Sequence, residues 1–182
     1  DDVEGTPKAD YYQNGNILLN RILGANIHTL NLGDDSESYV IGLLDTLTQA
    51  GRKPYLIPMG GSNVIGSLGY VRCAKEILQQ LADTNLHIDQ IILATGSAGT
   101  QAGLLAGLIA ENSDIPVYGI SVSRSAEMQT PLVQDLLEHT LTYLDIDPGR
   151  ATGKVLTNGD YVGEGYGIVT QSMETAVKRC AQ

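Results

Sequence analysis

The stretch Leu93–Gly103, LATGSAGTQAG, places three glycines and several small residues where a helix should begin. The isoleucine-containing run before it, residues 88–93, is typical of a buried strand. The run after it, LLAGLIAE from Leu104, has helical spacing and good helix formers. The stretch is therefore predicted to be a strand-to-helix turn, and such a turn is a place where proteins hold anions.

The residue types of this turn favour a phosphate site. Gly96 and Gly99 let the backbone bend so that successive N–H groups are exposed. Hydroxyl donors follow from Thr95, Ser97 and Thr100. A helix N-terminus adds unpaired N–H groups and the positive end of its dipole. The turn is therefore predicted to bind a phosphate without help from Lys or Arg.

The spacing of the glycines excludes two common nucleotide motifs. A P-loop needs Lys after its last glycine, but Leu104 follows Gly103. The dinucleotide fingerprint needs G-x-G-x-x-G, which Gly96, Gly99 and Gly103 do not provide. A packing role stays open, because Gly99, Gly103 and Gly107 recur every four residues and would bring one helix face close to the sheet. That alternative does not explain the hydroxyls.

Helices and strands alternate along the chain. Helices are predicted at about 14–23, 36–50, 70–82, 100–111, 126–144 and from about 170, and strands at 26–32, 54–57, 88–93, 117–121 and near Val155. Such alternation indicates parallel strands joined by helical crossovers. The predicted fold class is α/β, with a doubly wound parallel sheet and helices on both faces. Ligands in such sheets bind beyond the carboxyl ends of the strands, where the glycine-rich turn lies.

Two further glycine-rich loops carry candidate polar groups. In GGSNVIGSLGY, Ser62 and Asn63 could hydrogen-bond a ligand or could simply start a helix. This loop lacks the G-x-S-x-G pattern of serine hydrolases, because Val64 occupies the position of the final glycine. In GDYVGEGYG, Tyr161 and Tyr166 lie between glycines, where a phenol could serve as an acid or hydrogen-bond donor. A surface turn with packed tyrosines is the alternative.

The composition restricts the partners. A formal net charge of −10 with only 11 Lys and Arg argues against nucleic acid. No apolar stretch is long enough to cross a bilayer, and the acidic N-terminal residues do not resemble a secretory signal, so we expect a cytoplasmic protein without membrane contact.

Cys73 and Cys180 are expected to be reduced, buried thiols. The histidines, His28, His87 and His139, show no metal-ligand spacing and are interpreted as structural, so no metal site is predicted.

Three loops together resemble one enzyme family. IPMGGSNVIGSLGYV, ATGSAGTQAGL and DYVGEGYG are similar to the D-cysteine desulfhydrase and 1-aminocyclopropane-1-carboxylate (ACC) deaminase family. NGNILLN and YGISVSR fit the same family, so the resemblance runs in order from about Asn14 to Lys178. It implies a two-domain, fold-type-II pyridoxal-phosphate enzyme with the cofactor between the domains. Residues 1–58 would then belong to the small α/β domain and residues 59–182 to the large cofactor-binding domain.

The resemblance also implies roles for particular residues. The cofactor phosphate would be bound by Thr95, Gly96, Ser97, Ala98, Gly99 and Thr100. Tyr166 would be catalytic, by proton transfer or a hydrogen bond to the leaving group beside a small amino-acid substrate. The form TGSAGT looks more like the desulfhydrase branch, which converts D-cysteine to pyruvate, sulfide and ammonia. ACC deaminase-type activity is the alternative within the family.

The chain departs from the family pattern at its Schiff-base lysine. The family has this lysine in an upstream Asn-Lys motif, and none of the lysines here has that context: Lys8, Lys53, Lys75, Lys154 and Lys178. We therefore expect an internal portion of a lyase, inactive alone and homodimeric when complete. A protein that binds a phosphorylated small molecule without chemistry is the alternative from another class. A dehydrogenase is disfavoured by the glycine spacing.

Overall fold

The structure, a computed structural model, describes residues 13–31 and 33–182. The chain separates into two compact units, and the division falls between Ile57 and Pro58. The first unit contains α1 (Gly15–Ile22) and α2 (Ser36–Gln49). The second unit contains α3 (Val64–Thr84), β1 (Ile91–Thr95), α4 (Gly99–Ala110), β2 (Val117–Ser121), α5 (Ala126–Tyr143), β3 (Leu156–Asn158) and α6 (Gln171–Cys180). The assignment of residues 1–58 and 59–182 to a small and a large domain stays a prediction.

Local capping explains the helices of the first unit. The Asn14 side chain accepts a hydrogen bond from the Gly15 N–H at the start of α1. The Asp35 side chain caps α2 by accepting from the N–H groups of Glu37 and Ser38, and a further hydrogen bond from the Ser38 hydroxyl lowers the pKa of its carboxyl group. No residue of α1 or α2 is buried. These two helices are therefore specified mainly by their own sequence.

Two predicted strands of the first unit are corrected by the structure. Residues 26–31 and 54–57 form no strand, and Leu32 lies outside the described residues. A parallel strand exists only with a hydrogen-bonded neighbour, and no ladder joins these segments to each other or to a described strand. An apolar, β-branched composition is therefore not enough to predict a strand in these two segments.

The second unit confirms the α/β class. Its three strands pair in the order β1-β2-β3, and both pairs are parallel. In the register, Thr95 is opposite Ser121, and Ile120 is opposite Asn158. The carboxyl ends of the three strands therefore meet at one edge, as the alternating sequence predicted.

Helices α4 and α5 lie against one face of this sheet. The Gln101 amide of α4 donates to the carbonyl oxygens of Val117 and Leu156, and Thr130 of α5 bonds Thr157 of β3. Alternate residues face the other side, where the side chain of Ile92 is 60% exposed. Such an arrangement is expected for parallel strands in the order β1-β2-β3, because right-handed crossovers between neighbouring strands carry their helices to the same side.

Helix α4 forms the centre of the core. Ten of its residues are buried, and large apolar side chains from β2 and α5 pack with them. Those partners include Val117, Val133, Leu137 and Leu141. After Thr100 and Gln101 the helix is apolar all round, which is the pattern of a fully buried helix.

Gly103 and Gly107 of α4 face α3 and not the sheet, which corrects the packing alternative. A Cβ at Gly103 would collide with the Ser67 carbonyl oxygen and lie 2.6 Å from the Tyr70 Cβ. A Cβ at Gly107 would lie 2.6 Å from the Ala74 Cβ. The glycines therefore let two helices approach closely, and this role coexists with the hydroxyl-lined turn at the N-terminus of α4.

Helix α3 begins six residues before its predicted start, at Val64 and not at Tyr70. Gly66 was interpreted as part of a loop but lies in the first turn of α3, where a Cβ would collide with the Gly61 carbonyl oxygen. The glycine is needed because the chain before the helix, the 3₁₀ turn Met59–Gly61, approaches the helix backbone. In the sequence, a glycine that is needed for a close approach of two backbone segments cannot be distinguished from a glycine in a flexible loop.

The two cysteines differ in burial. Both cysteines are free, and Cys73 is partly buried, but Cys180 is exposed because no residue of α6 is buried. Among the described residues, no helix is both long and apolar enough to span a membrane. His139 pairs with Asp135 in its own helix. In that same part of the chain, no group of three or more metal-ligating side chains occurs.

Candidate functional site

The glycine-rich turn lies between the end of β1 and the start of α4, and residues 95–100 are called the cup below. Ala98 is the N-cap residue of α4 and has a left-handed backbone with φ of 75°. Its side chain has no oxygen, so it does not cap the helix. An alanine in this conformation is strained, and the first turn of α4 receives no cap from its own N-cap residue.

Two serine hydroxyls close one side of the cup. The Ser62 hydroxyl donates to the Ser97 Oγ over 2.8 Å and accepts from the Gly99 N–H over 3.2 Å. Ser97 is exposed, and Thr100 is partly buried. Within the described residues, the N–H groups of Ser97, Ala98 and Thr100 have no hydrogen-bond acceptor. The cup therefore presents several donors together.

Two glycines allow the loop before α3 to touch the cup. A Cβ at Gly60 would collide with the Ser97 Oγ, and a Cβ at Gly99 would lie 2.7 Å from the Ser62 Oγ. Gly60 also has a positive φ of 66°, which L-residues rarely adopt. The second glycine-rich loop thus contributes Ser62 to the site that the first one forms.

The carbonyl oxygen of Gly96 is held from the side of α5. The Arg124 Nη1 donates to it over 3.1 Å, and the Gln129 Nε2 donates to it over 2.9 Å. The Gln129 Nε2 also lies 3.2 Å from the Thr95 Oγ1. Gln129 is fully buried. These contacts tie the turn after β1 to the helix after β2.

Sequence reasoning missed Gln129, although a signal for it exists. Gln129 stands at the head of a buried stripe of α5 that continues through Val133, Leu137 and Leu141 at helical spacing. A polar residue in an otherwise apolar stripe needs a hydrogen-bond partner. Its partners lie 33 and 34 residues earlier, so the sequence could mark the residue but not its target.

Asn63 has a structural role in this arrangement. Its side-chain oxygen accepts from the Gly66 N–H over 2.8 Å and caps α3. Ser62 and Asn63 are adjacent in sequence, yet only Ser62 bonds the cup. The structure therefore separates two residues that the sequence grouped together.

The two loop tyrosines are solvent-exposed. Tyr161 is 74% exposed and Tyr166 is 60% exposed, and both follow the carboxyl end of β3. Neither phenol hydrogen-bonds the cup among the described residues. A role for either tyrosine at the site therefore stays a prediction.

The charges around the cup suit an anion. Residues 95–100 contain no titratable side chain, so the donors do not depend on pH. The Arg124 guanidinium donates a hydrogen bond to the Gly96 carbonyl oxygen of the cup and supplies a positive charge. The phosphate site predicted from the sequence did not include this arginine. A hydrogen bond from Ser125 lowers the pKa of Glu127, which lies in the first turn of α5 and has no hydrogen bond to the cup among the described residues. Backbone donors, hydroxyls and a helix N-terminus together fit a phosphate group.

The sequence is similar to known proteins over almost its whole length. The sequence model of the family described as "Pyridoxal-phosphate dependent enzyme" matches residues 4–182. D-cysteine desulfhydrase from Klebsiella pneumoniae subsp. pneumoniae is 35% identical over 178 residues, which cover 98% of this chain and 53% of that protein. D-cysteine desulfhydrase from Yersinia pestis gives the same identity and the same coverage.

The fold also has a solved relative. A crystal structure described as an ACC deaminase homologue matches with a TM-score of 0.81 and 32% identity, over 96% of this chain and 52% of that chain. The chain thus spans about half the length of the curated relatives that it matches. It belongs to the family of pyridoxal-phosphate-dependent enzymes.

Proposed function

We propose that the complete protein is a pyridoxal-phosphate-dependent lyase that acts on D-cysteine and releases sulfide, pyruvate and ammonia. The observation that carries the proposal is the first turn of α4, where the N–H groups of Ser97, Ala98 and Thr100 have no acceptor among the described residues and Ser97 and Thr100 add hydroxyls. The relatives named D-cysteine desulfhydrase support this choice of substrate.

The proposed division of labour follows from the chemistry of each group. Bound pyridoxal phosphate would supply the electron sink for loss of the substrate α-proton. The cup would bind its phosphate through backbone and hydroxyl donors, and Ser62 would order the Ser97 hydroxyl. Tyr166 would move a proton at the leaving group, while Asn63 and Tyr161 would lie near the substrate. The exposure of both tyrosines leaves their hydroxyls free for such contacts.

A second candidate is ACC deaminase-type activity, favoured by the fold match to an ACC deaminase homologue. The two candidates differ in product, because D-cysteine releases sulfide and ACC does not contain sulfur. The complete enzyme should therefore be assayed with both compounds, and sulfide release compared with ammonia release. A third candidate, a phosphate-ligand-binding protein without chemistry, predicts binding but no turnover of either compound.

The remaining proposals concern the setting of the enzyme. We infer a homodimer of the complete protein in the cytoplasm, acting on a small amino acid, without nucleic acid or membrane partners. The net charge of −10 supports the exclusion of nucleic acid. We also infer that residues 1–58 belong to the small domain and residues 59–182 to the cofactor-binding domain.

Binding of pyridoxal phosphate by the chain tests the cup directly. Ser97→Ala and Thr100→Ala should each raise the dissociation constant about fivefold, and the double variant should raise it more than twentyfold, since a net hydrogen bond contributes about 1 kcal/mol. Thr142→Ala is the matched control, because the Thr142 hydroxyl bonds the Glu138 carbonyl oxygen within α5. Unchanged affinity in the double variant would remove the cup as the phosphate site.

Borohydride reduction in the presence of pyridoxal phosphate addresses the catalytic lysine. We expect no single labelled site, because none of the lysines has the family's Asn-Lys context. The readout is an intact mass followed by peptide mapping. One stoichiometric adduct on one lysine would contradict this expectation and would show that the chain supplies its own Schiff-base residue.

A further inference from the structure

The orientation of one peptide group in the cup is controlled from outside it. The carbonyl oxygen of Gly96 accepts hydrogen bonds from both Arg124 and Gln129. The described chain contains no cis peptide bond. In a trans peptide, the C=O of one residue and the N–H of the next point in opposite directions. Fixing the Gly96 oxygen toward α5 therefore fixes the Ser97 N–H on the side away from Gln129.

The amide of Gln129 is assigned by its partners. The Gly96 carbonyl can only accept a hydrogen bond, so the nitrogen and not the oxygen of the side chain must face it. The Gln129 Oε1 is buried and has no partner among the described residues. Leaving a buried acceptor unpaired destabilises the fold. The hydrogen bonds that Gln129 donates to the cup therefore have to offset this cost.

A second buried glutamine provides an internal comparison. Gln101 is also fully buried, also has an unpaired Oε1, and also donates through Nε2 to backbone carbonyl oxygens. Its acceptors, however, belong to Val117 and Leu156, inside the sheet. Burial and chemistry are the same for the two residues. What differs is the target, because only Gln129 holds the backbone of the cup.

We propose that Gln129 and Arg124 are positioning residues that clamp the Gly96 carbonyl and so aim the Ser97 N–H at the phosphate of the cofactor. This inference rests on the proposed function of the cup. Neither side chain is required to touch the phosphate, because both act through the peptide that joins Gly96 to Ser97. The two donors come from different parts of the turn and helix after β2, so the clamp resists rotation of that peptide better than one donor would.

The clamp also couples two neighbouring strand ends. Thr95 and Ser121 are paired at the ends of β1 and β2. The Ser121 Oγ accepts from the Arg124 N–H over 3.2 Å, which orders the backbone that carries the guanidinium. The Gln129 Nε2 reaches the Thr95 Oγ1 as well as the Gly96 oxygen. The geometry of the cup is therefore set by the segment after β2 and not by its own residues alone.

The test compares ligands with and without a phosphate in three forms of this 182-residue chain, the wild type and two variants. Dissociation constants for pyridoxal phosphate and for pyridoxal are measured by calorimetry for the wild type, Gln129→Met and Gln101→Met. Amide resonances of Ser97, Ala98 and Thr100 are followed during the same titrations. Methionine keeps the length of glutamine and removes its donors, so the two variants lose equivalent groups.

The expected result is a selective loss of phosphate recognition. Gln129→Met should weaken pyridoxal phosphate binding about tenfold, leave pyridoxal binding within twofold, and reduce the shift of the Ser97 amide. Gln101→Met should keep the wild-type preference for the phosphate ester. Arg124→Met is the second variant if Gln129→Met does not fold, and it should weaken pyridoxal phosphate binding about fivefold.

The contradicting results are distinct. Wild-type phosphate preference in Gln129→Met, or an equal loss in Gln101→Met, would overturn the clamp while leaving the cup in place. Equal affinity of the wild-type chain for pyridoxal phosphate and pyridoxal would overturn the proposed cofactor site and the clamp with it. An unchanged Ser97 amide response in Arg124→Met would also count against the clamp.

Discussion

Helices α3 and α4 pack against each other, yet their first turns are finished in opposite ways. Asn63 caps α3 by accepting a hydrogen bond from the Gly66 N–H. The residue at the same position of α4 is Ala98, which has no side-chain oxygen and a left-handed backbone. A capped first turn is stable by itself, whereas an uncapped one offers its N–H groups to an anion. On the proposed function, the difference separates a helix start that serves stability from one that serves binding.

The largest expected effect comes from breaking the contact that both helices share. Gly103→Val would place side-chain atoms against the Ser67 carbonyl oxygen and the Tyr70 Cβ, and we expect a loss of about 3 kcal/mol in the free energy of unfolding. Urea unfolding of this chain measures it. Gly69→Ala is the control, because nothing lies within 4 Å of a Cβ there, and it should stabilise α3 by up to about 1 kcal/mol. Equal stability of both variants would contradict the close helix contact.

Sequence reasoning located those elements whose signals are local. The bounds of β2 agree with the prediction, and those of α2 and α5 agree to within one residue, because periodicity and end signals lie inside the segments. The start of α3 was misplaced because the requirement for Gly66 comes from the carbonyl oxygen of Gly61. The strand at 54–57 was wrong because strand formation depends on a neighbour.

The residues of the candidate site also divide into those with local sequence signals and those that depend on distant partners. The cup was predicted from its own glycines and hydroxyls, and the structure places those residues at the end of β1 and the start of α4. The contributions of Gln129, Arg124 and Ser62 depend on hydrogen bonds between residues 28 to 37 positions apart. Neither composition nor periodicity encodes such distances. Their chemistry was visible in the sequence, but their targets were not.

A smaller effect sharpens the comparison at the capped end. Asn63→Ala should lower the free energy of unfolding by about 1 kcal/mol, because the Gly66 N–H loses its acceptor. Asn63→Asp should keep wild-type stability at neutral pH, since a carboxylate caps a helix equally well. Thermal and urea unfolding of the two variants provide the measurement. Destabilisation by Asp as large as that by Ala would show that the cap is not what stabilises this turn.

The smallest effect concerns the uncapped end. Ala98→Gly should stabilise the chain by about 0.5 kcal/mol, because relief of left-handed strain exceeds the added entropy of the unfolded glycine. Ala102→Gly is the matched control within α4 and should destabilise it by about 1 kcal/mol. The difference between their urea midpoints is the informative quantity. A loss of stability in both variants would contradict the left-handed backbone at residue 98.

The deep burial of α4 has a consequence for hydrogen exchange. Amides in the middle of this helix, between Leu104 and Ile109, are enclosed by the core and should exchange with solvent only when the whole unit unfolds. The N–H groups of Ala98 and Thr100 belong to the same helix start but lack acceptors, so they should exchange quickly. The amides of this one short helix should therefore cover nearly the full range of protection against hydrogen exchange. A bound phosphate should slow hydrogen exchange only at the N-terminal amides of α4, which exchange quickly without it.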